Sequence, residues 1–112
     1  MNLTHQKCVS CEGGTKPFTL EELKQYLPVV PEWKVSDSEP LAIFRTIICK
    51  DFKDAITLVT KIAGIAEAEG HHPDLYLHDF KKLTITLSTH AIKGLSINDF
   101  IIAAKIDQVV SR

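Results

Sequence analysis

Residues 82–89 read KLTITLST, and this stretch decides the fold class. Leu83, Ile85 and Leu87 alternate with threonine and serine, which is the period-two pattern of a β-strand with one apolar and one polar face. A shorter apolar run at residues 75–77 lies just before it. Together the two runs predict neighbouring strands of one sheet.

A long amphipathic helix is predicted before these strands. Apolar residues follow Asp51 with a 3.6-residue period, and charged residues occupy the remaining arc. The pattern ends near Gly70, a residue suited to the left-handed position after a helix. The predicted buried face comprises Phe52, Ala55, Ile56, Val59, Ile62, Ala63 and Ala66.

Further elements are predicted on both sides of this helix. The capping-box spacings Thr19-x-x-Glu22 and Ser96-x-x-Asp99 each open a helix. Residues 32–35 and 41–49 are β-branched and aromatic, and turn-forming residues separate them, so we expect a hairpin. The order is α-β-β-α-β-β-α. We therefore predict an α+β fold, a four-stranded antiparallel sheet with helices packed on one face.

The strand over residues 41–49 is apolar on both faces, which favours a subunit interface on one of them. Residues 1–17 are polar, so we expect a flexible N-terminal segment before a single domain over residues 18–112. Cys8 and Cys11 form one Cys-x-x-Cys motif there, and a metal or redox role is the alternative to a mobile, reduced segment. An odd number of cysteines fits a reducing compartment.

Composition excludes several function classes. The 112 residues carry 13 Lys and Arg against 14 Asp and Glu, a net charge of -1, which argues against nucleic acid as a partner. No stretch approaches the length of a membrane span, and the opening residues lack the apolar core of a signal peptide. We therefore expect a cytoplasmic protein with no membrane partner.

Histidines and acidic residues cluster between Glu67 and His90. Glu67 and His71 are four apart, so we expect the carboxylate to bond the imidazole and fix its tautomer. An imidazole oriented in this way suits a general acid or base near neutral pH. His72 precedes Pro73, which restricts it to extended geometry, so the adjacent histidines can line two walls of one pocket. The alternative is that they cap the helix C-terminus.

His90 follows the alternating strand in phase with Ser88, which directs it away from the apolar face. With Thr89 these residues place polar groups at a strand end, where a ligand can bind; a solvated turn is the alternative. Metal binding is the rival use of the histidines. Adjacent histidines chelate one ion awkwardly, and neither H-x-x-x-H nor H-x-H spacing occurs, so we predict no metal site.

With these residues on the page, the sequence resembles the pterin-4a-carbinolamine dehydratases. The family pattern is matched by Glu67, His71-His72-Pro73, Phe80, His90 and Asp99. The run ending at His90 and the later Gly94-Leu95-Ser96 are also similar, and the likeness covers residues 33–109. Two positions depart from it: Phe80 stands where tyrosine is frequent, and Gly70 stands where animal members often carry Asn or Asp.

The resemblance implies dehydration of 4a-hydroxytetrahydropterin to quinonoid dihydropterin, with the pterin as substrate and no cofactor. The step recycles the pterin of an aromatic amino acid hydroxylase, which implies a functional link to phenylalanine hydroxylase. We expect His71, oriented by Glu67, and His90 to act as acid and base in either order, and His72 to bind and orient. The substrate-binding residues implied are Gly70, Ser88, Thr89 and Phe80. Asp99 is expected to be structural, as part of its capping box.

A non-catalytic module is the alternative function. Animal members also serve as dimerisation partners of a transcription factor, so a chain of this kind could act as a pterin-binding or regulatory protein through its interface. The resemblance implies a homodimer or homotetramer in either case.

Overall fold

The structure, a computed structural model, describes residues 2–9 and 16–110. Across these residues the order is the predicted one. The helices are α1 (Leu20–Tyr26), α2 (Phe52–Glu69) and α3 (Ile97–Val110), and the strands are β1 (Lys34–Val35), β2 (Ile43–Ile48), β3 (Asp74–His78) and β4 (Lys82–Leu87). Short 3-10 turns lie at Leu3–His5, Leu27–Val29 and His90–Ile92. The predicted α+β class is confirmed.

The strands form one antiparallel sheet in the order β1-β2-β4-β3. The alternation predicted for β4 is confirmed, since Leu83, Ile85 and Leu87 are fully buried. They join buried residues of α2 and α3 in one core cluster, so the helices cover this face. β4 is central because it pairs with both β2 and β3, and its carboxyl end therefore reaches the middle of one sheet edge.

The opposite face of the sheet carries both polar and apolar side chains. Thr46 pairs with Thr84 across the strands, and their hydroxyls are hydrogen-bonded at 2.8 Å. Ile48 and Tyr76 on the same face are 68% and 65% exposed. β2 thus exposes an apolar residue, Ile48, on the face away from the helices. That this face belongs to a subunit interface stays a prediction.

Helix α2 buries a stripe shifted from the predicted one. Ala55, Leu58, Ile62 and Ala66 are buried, whereas Phe52 and Ile56 are exposed. Ala63 is exposed as well. The prediction for Phe52, Ile56 and Ala63 was wrong because the apolar arc of this helix is wider than the surface that the sheet covers, and periodicity cannot tell which edge of the arc faces the core.

Residues 2–9, here called the N-terminal strap, pack against the domain. The side chain of Leu3 is 1% exposed and belongs to the core cluster. Cys8 packs against the same cluster. The prediction of a flexible segment over residues 1–17 therefore needs correction for the strap. The segment is polar overall, and its composition does not indicate that Leu3 belongs to the core. Cys11 lies outside the described residues, so the Cys-x-x-Cys prediction extends beyond them.

Close packing also ties the chain after Lys16 to the start of α3. A Cβ placed on Gly94 would lie 2.6 Å from the Cβ of Pro17, so only glycine fits at this contact. The amide of Phe18 donates to the Leu95 carbonyl at 2.8 Å next to it. No helix among the described residues has the length and apolar character that a bilayer crossing requires.

The strap is expected to stabilise the fold through Leu3. Leu3→Ala should lower the free energy of unfolding by about 2–5 kcal/mol, because it removes a fully buried side chain and leaves a cavity. The matched control is Leu20→Ala at a position 65% exposed, where the change should stay within about 0.5 kcal/mol. Urea denaturation measures both, and equal losses would contradict a core role for the strap.

Candidate active site

A cleft of about 470 Å³ lies where four parts of the chain meet at one edge of the sheet. They are the N-terminal strap, the junction of α2 and β3, the turn after β4 and the start of α3. The lining residues are Cys8, Val9, Glu69, Gly70, His71, His72, Ser88, Thr89, His90, Ala91 and Asn98. The volume is in the range of small-molecule sites.

Gly70 determines where the two adjacent histidines point. It lies in the left-handed region with φ 68° and ends α2, as predicted. The amides of Gly70 and His71 both donate to the Ala66 carbonyl, at 2.9 and 3.3 Å. Backbone groups therefore cap the helix here, and the imidazoles of His71 and His72 are left to line the cleft.

The carboxylate that bonds His71 is Asp99, which is fully buried. Asp99 Oδ1 lies 2.7 Å from His71 Nε2. A carboxylate accepts hydrogen bonds, so His71 donates from Nε2 and keeps Nδ1 for a ligand. Side-chain placement of this kind fixes both the tautomer and the plane of the ring.

The expected bond between Glu67 and His71 was wrong. Glu67 Oε2 instead lies 2.5 Å from His72 Nε2, with both side chains largely exposed. The four-residue spacing brings side chains together only while the helix continues, and Gly70 has already turned the chain. An exposed pair of this kind holds its partners weakly, so Glu67 orients His72 less firmly than Asp99 orients His71.

Asp99 is itself held by a small buried network. Its Oδ2 accepts from the Thr89 hydroxyl at 2.8 Å and from the Ser96 amide at 3.0 Å. The Ser96 hydroxyl lies 2.8 Å from that of Thr89 and accepts from the Asn98 amide at 3.2 Å. The predicted capping role of Asp99 is therefore present together with the contact to His71. A buried carboxylate needs such partners to offset its lost hydration.

Thr89 lines the cleft and also takes part in the buried network. Its hydroxyl is committed to Asp99, and its amide donates to the Gly94 carbonyl at 2.7 Å. That this hydroxyl and backbone hold the substrate stays a prediction. Ser88 lines the cleft with a hydroxyl that has no hydrogen-bond partner among residues 2–9 and 16–110. His90, exposed at the start of a 3-10 turn, also lines the cleft.

Phe80 lies far from these residues. It occupies the β3–β4 turn, is 59% exposed and has a φ of 53°. The cleft lies at the opposite end of the hairpin, since Asp74 and Thr86 pair near it while His78 and Lys82 pair near the turn. The prediction of Phe80 as a substrate-binding residue therefore needs correction within this chain, because a family pattern does not record which strand end a position occupies.

Sequence reasoning missed the part of the lining formed by Cys8, Val9, Glu69 and Asn98. Burial raises the pKa of the Cys8 thiol to about 12, and the charge of Glu69 adds to the effect. Cys8 is therefore a neutral thiol at physiological pH and a poor nucleophile. Among the residues that the structure describes, no group of His, Cys, Asp and Glu side chains is placed to hold a metal ion.

Residues 16–109 match the family model described as pterin 4 alpha carbinolamine dehydratase. The chain belongs to this family. A protein of Halorhodospira halophila that carries the pterin-4-alpha-carbinolamine dehydratase name is 41% identical over 107 residues, with 96% of each chain covered. One of Alkaliphilus metalliredigens under the same name is 44% identical over 108 residues, covering 96% of this chain and 95% of its own.

The fold of the dehydratase family is also found among solved structures. A transcriptional coactivator/pterin dehydratase from Brucella melitensis superimposes with a TM-score of 0.77 and 28% identity. The match covers 84% of this chain and 98% of the other. Membership of the pterin-4a-carbinolamine dehydratases, expected from the histidine pattern, is confirmed.

The buried network predicts a measurable cost at Thr89. Thr89→Val keeps the side-chain shape but removes the hydroxyl from Asp99 and Ser96, so we expect a loss of about 1–3 kcal/mol in the free energy of unfolding. Thr86→Val, on the sheet face away from the helices, is the matched control and should stay within about 0.5 kcal/mol. Urea denaturation measures the free energy of unfolding of both variants. Equal losses in the two would mean that the network contributes no net stability.

Proposed function

We propose that this chain dehydrates 4a-hydroxytetrahydropterin to quinonoid dihydropterin. The observation that carries the proposal is that the adjacent His71 and His72 line one cleft with His90, which is distant from them along the sequence. One of these imidazoles is held by a buried carboxylate, which is the arrangement of an oriented acid or base. Family membership supports the same reaction.

The reaction suits imidazole chemistry. The C4a–O bond breaks, its electron pair leaves with the oxygen, and a delivered proton converts the leaving group into water. Removal of the N5 proton lets that nitrogen form the double bond to C4a. One proton is given and one is taken, so no redox partner, metal or further cofactor is required by the balance, and the pterin is the substrate.

We assign His90 to the departing hydroxyl and His71 to the N5 proton. His71 Nδ1 is the free nitrogen once Nε2 bonds Asp99, so this ring can accept a proton while the carboxylate stabilises the cation that forms. His90 is exposed and exchanges protons with water between turnovers. His72 and Ser88 bind and orient the ring system. Asp99 is the positioning residue in place of Glu67.

The product of this step is a dihydropterin that a reductase can return to the tetrahydro form. We propose that the chain recycles the pterin of an aromatic amino acid hydroxylase, with phenylalanine hydroxylase as the expected source of substrate. A cytoplasmic location fits such a role and the odd number of cysteines in the chain.

A stopped-flow assay tests the reaction directly. The 4a-carbinolamine is generated in situ, and its decay is followed with and without protein; we expect acceleration. His71→Ala and His90→Ala should each slow turnover by about 100- to 10,000-fold, since each removes one proton-transfer group. His78→Ala, a histidine outside the cleft, is the matched control and should retain full activity.

Two results would contradict the proposal. Unchanged turnover in both cleft variants would remove the assigned roles. A protein that binds pterin without accelerating the decay would favour the alternative, a non-catalytic binding or regulatory module.

We also propose that the protein forms a homodimer or homotetramer through its exposed apolar residues. Ile48 and Tyr76 on the open sheet face, and Phe52 and Ile56 of α2, form apolar surface that the described chain leaves exposed. A second copy of the same chain would cover it symmetrically.

Light scattering at micromolar concentration tests the assembly. The unmodified protein should have at least twice the mass of one chain, and Ile48→Lys should shift it towards the monomer by placing a charge in the interface. Gln25→Lys, an exposed change on α1, should leave the mass unaltered. A monomer for the unmodified protein would contradict the proposal.

A further inference from the structure

The N-terminal strap reaches from the core to the cleft. Leu3 is buried at one end, and Cys8 and Val9 line the cleft at the other. The backbone of the strap is fixed near the cleft by side chains from two different helices. A segment held in this way is part of the binding surface.

Asn98 holds Val9 through both of its backbone groups. The Val9 amide donates to Asn98 Oδ1 at 3.0 Å, and Asn98 Nδ2 donates to the Val9 carbonyl at 2.5 Å. The side-chain amide of Asn98 thus hydrogen-bonds both backbone groups of Val9, as the backbone of a neighbouring β-strand would. Asn98 is buried and lies in the first turn of α3, one residue before Asp99. The same turn therefore positions the strap and, through Asp99, the His71 ring.

Glu69 holds the preceding residue of the strap. Its Oε1 accepts from the Cys8 amide at 2.8 Å, and its Oε2 accepts from Lys105 Nζ at 2.7 Å. The hydrogen bond from Lys105, aided by that from Cys8, lowers the pKa of Glu69 and so favours the carboxylate that holds the strap. Glu69 is the last residue of α2 and lies next to Gly70. The two residues that hold the strap, Asn98 and Glu69, are thus sequence neighbours of Asp99 and Gly70, which position His71.

The strap leaves one apolar side chain on the cleft. Val9 is exposed to solvent although it lines the cleft, and its backbone is fully bonded. Most of the remaining lining is polar and includes the imidazoles and Ser88. A flat heterocycle between these surfaces has hydrogen-bonding groups on one side and an apolar contact on the other, which is how small-molecule sites combine specificity with burial.

We propose that the strap is the second wall of the pterin site, that Val9 contacts the bound pterin, and that Asn98 is the positioning residue that holds Val9 there. The inference rests on the proposed function for the identity of the ligand. Such a contact is equally strong before and during the reaction, so it contributes to affinity and KM and leaves kcat unchanged.

The experiment measures binding and turnover in the same variants. Isothermal calorimetry with 6-methyl-7,8-dihydropterin, which lacks the 4a-hydroxyl and does not react, gives Kd; stopped flow gives KM and kcat. Asn98→Ala should raise Kd and KM about tenfold and Val9→Ala about threefold, with kcat within about twofold, as expected for loss of uniform binding. Gln6→Ala, a strap residue outside the lining, is the matched control and should change neither.

Val9→Ala keeps the test decisive if Asn98→Ala fails to fold, because the Val9 side chain is exposed. A Kd unchanged in Val9→Ala, or a loss in kcat without a change in Kd and KM in Asn98→Ala, would overturn the inference. The proposed reaction and the proposed role of the strap can be refuted independently. Unmodified protein that binds the dihydropterin but does not accelerate dehydration refutes the reaction, whereas the Kd series still decides the strap.

Discussion

The buried carboxylate of Asp99 is the constraint on which the site depends. Three hydrogen bonds reach it, from His71, from the Thr89 hydroxyl and from the Ser96 amide. They come from the end of α2, the end of β4 and the start of α3, so one charged group joins the segments that form the cleft. A carboxylate without these partners would be too costly to bury. Without the carboxylate, the His71 ring would lose the hydrogen bond that orients it.

The elements could be predicted because each carries a local signal. The alternation of Leu83, Ile85 and Leu87 and the capping box at Thr19 need no information from distant residues, and both are present in the structure. Tertiary contacts decide the rest. The exposure of Phe52 depends on how much of α2 the sheet covers, and the burial of Leu3 depends on a core that a polar segment of sequence does not indicate.

The sequence indicated which residues line the candidate site but not which side chains hydrogen-bond one another there. That His71, His72 and His90 share a cleft agrees with the pattern that suggested it. The pairing of His71 with Asp99 instead of Glu67 follows from the left-handed turn at Gly70, which a spacing rule for helices cannot anticipate. Asn98 and Glu69 gave no signal, because their role is to bond backbone amides of a segment about sixty to ninety residues away.

The double duty of Asp99 affects how activity should be inferred across relatives. A lineage that lost the reaction would still be selected to keep this carboxylate, because folding of the α3 start requires it. His90 and His72 are exposed, and no core packing depends on them. On the roles proposed above, drift would therefore erase the exposed imidazoles first, and their retention would separate active members from inactive descendants better than retention of the aspartate does.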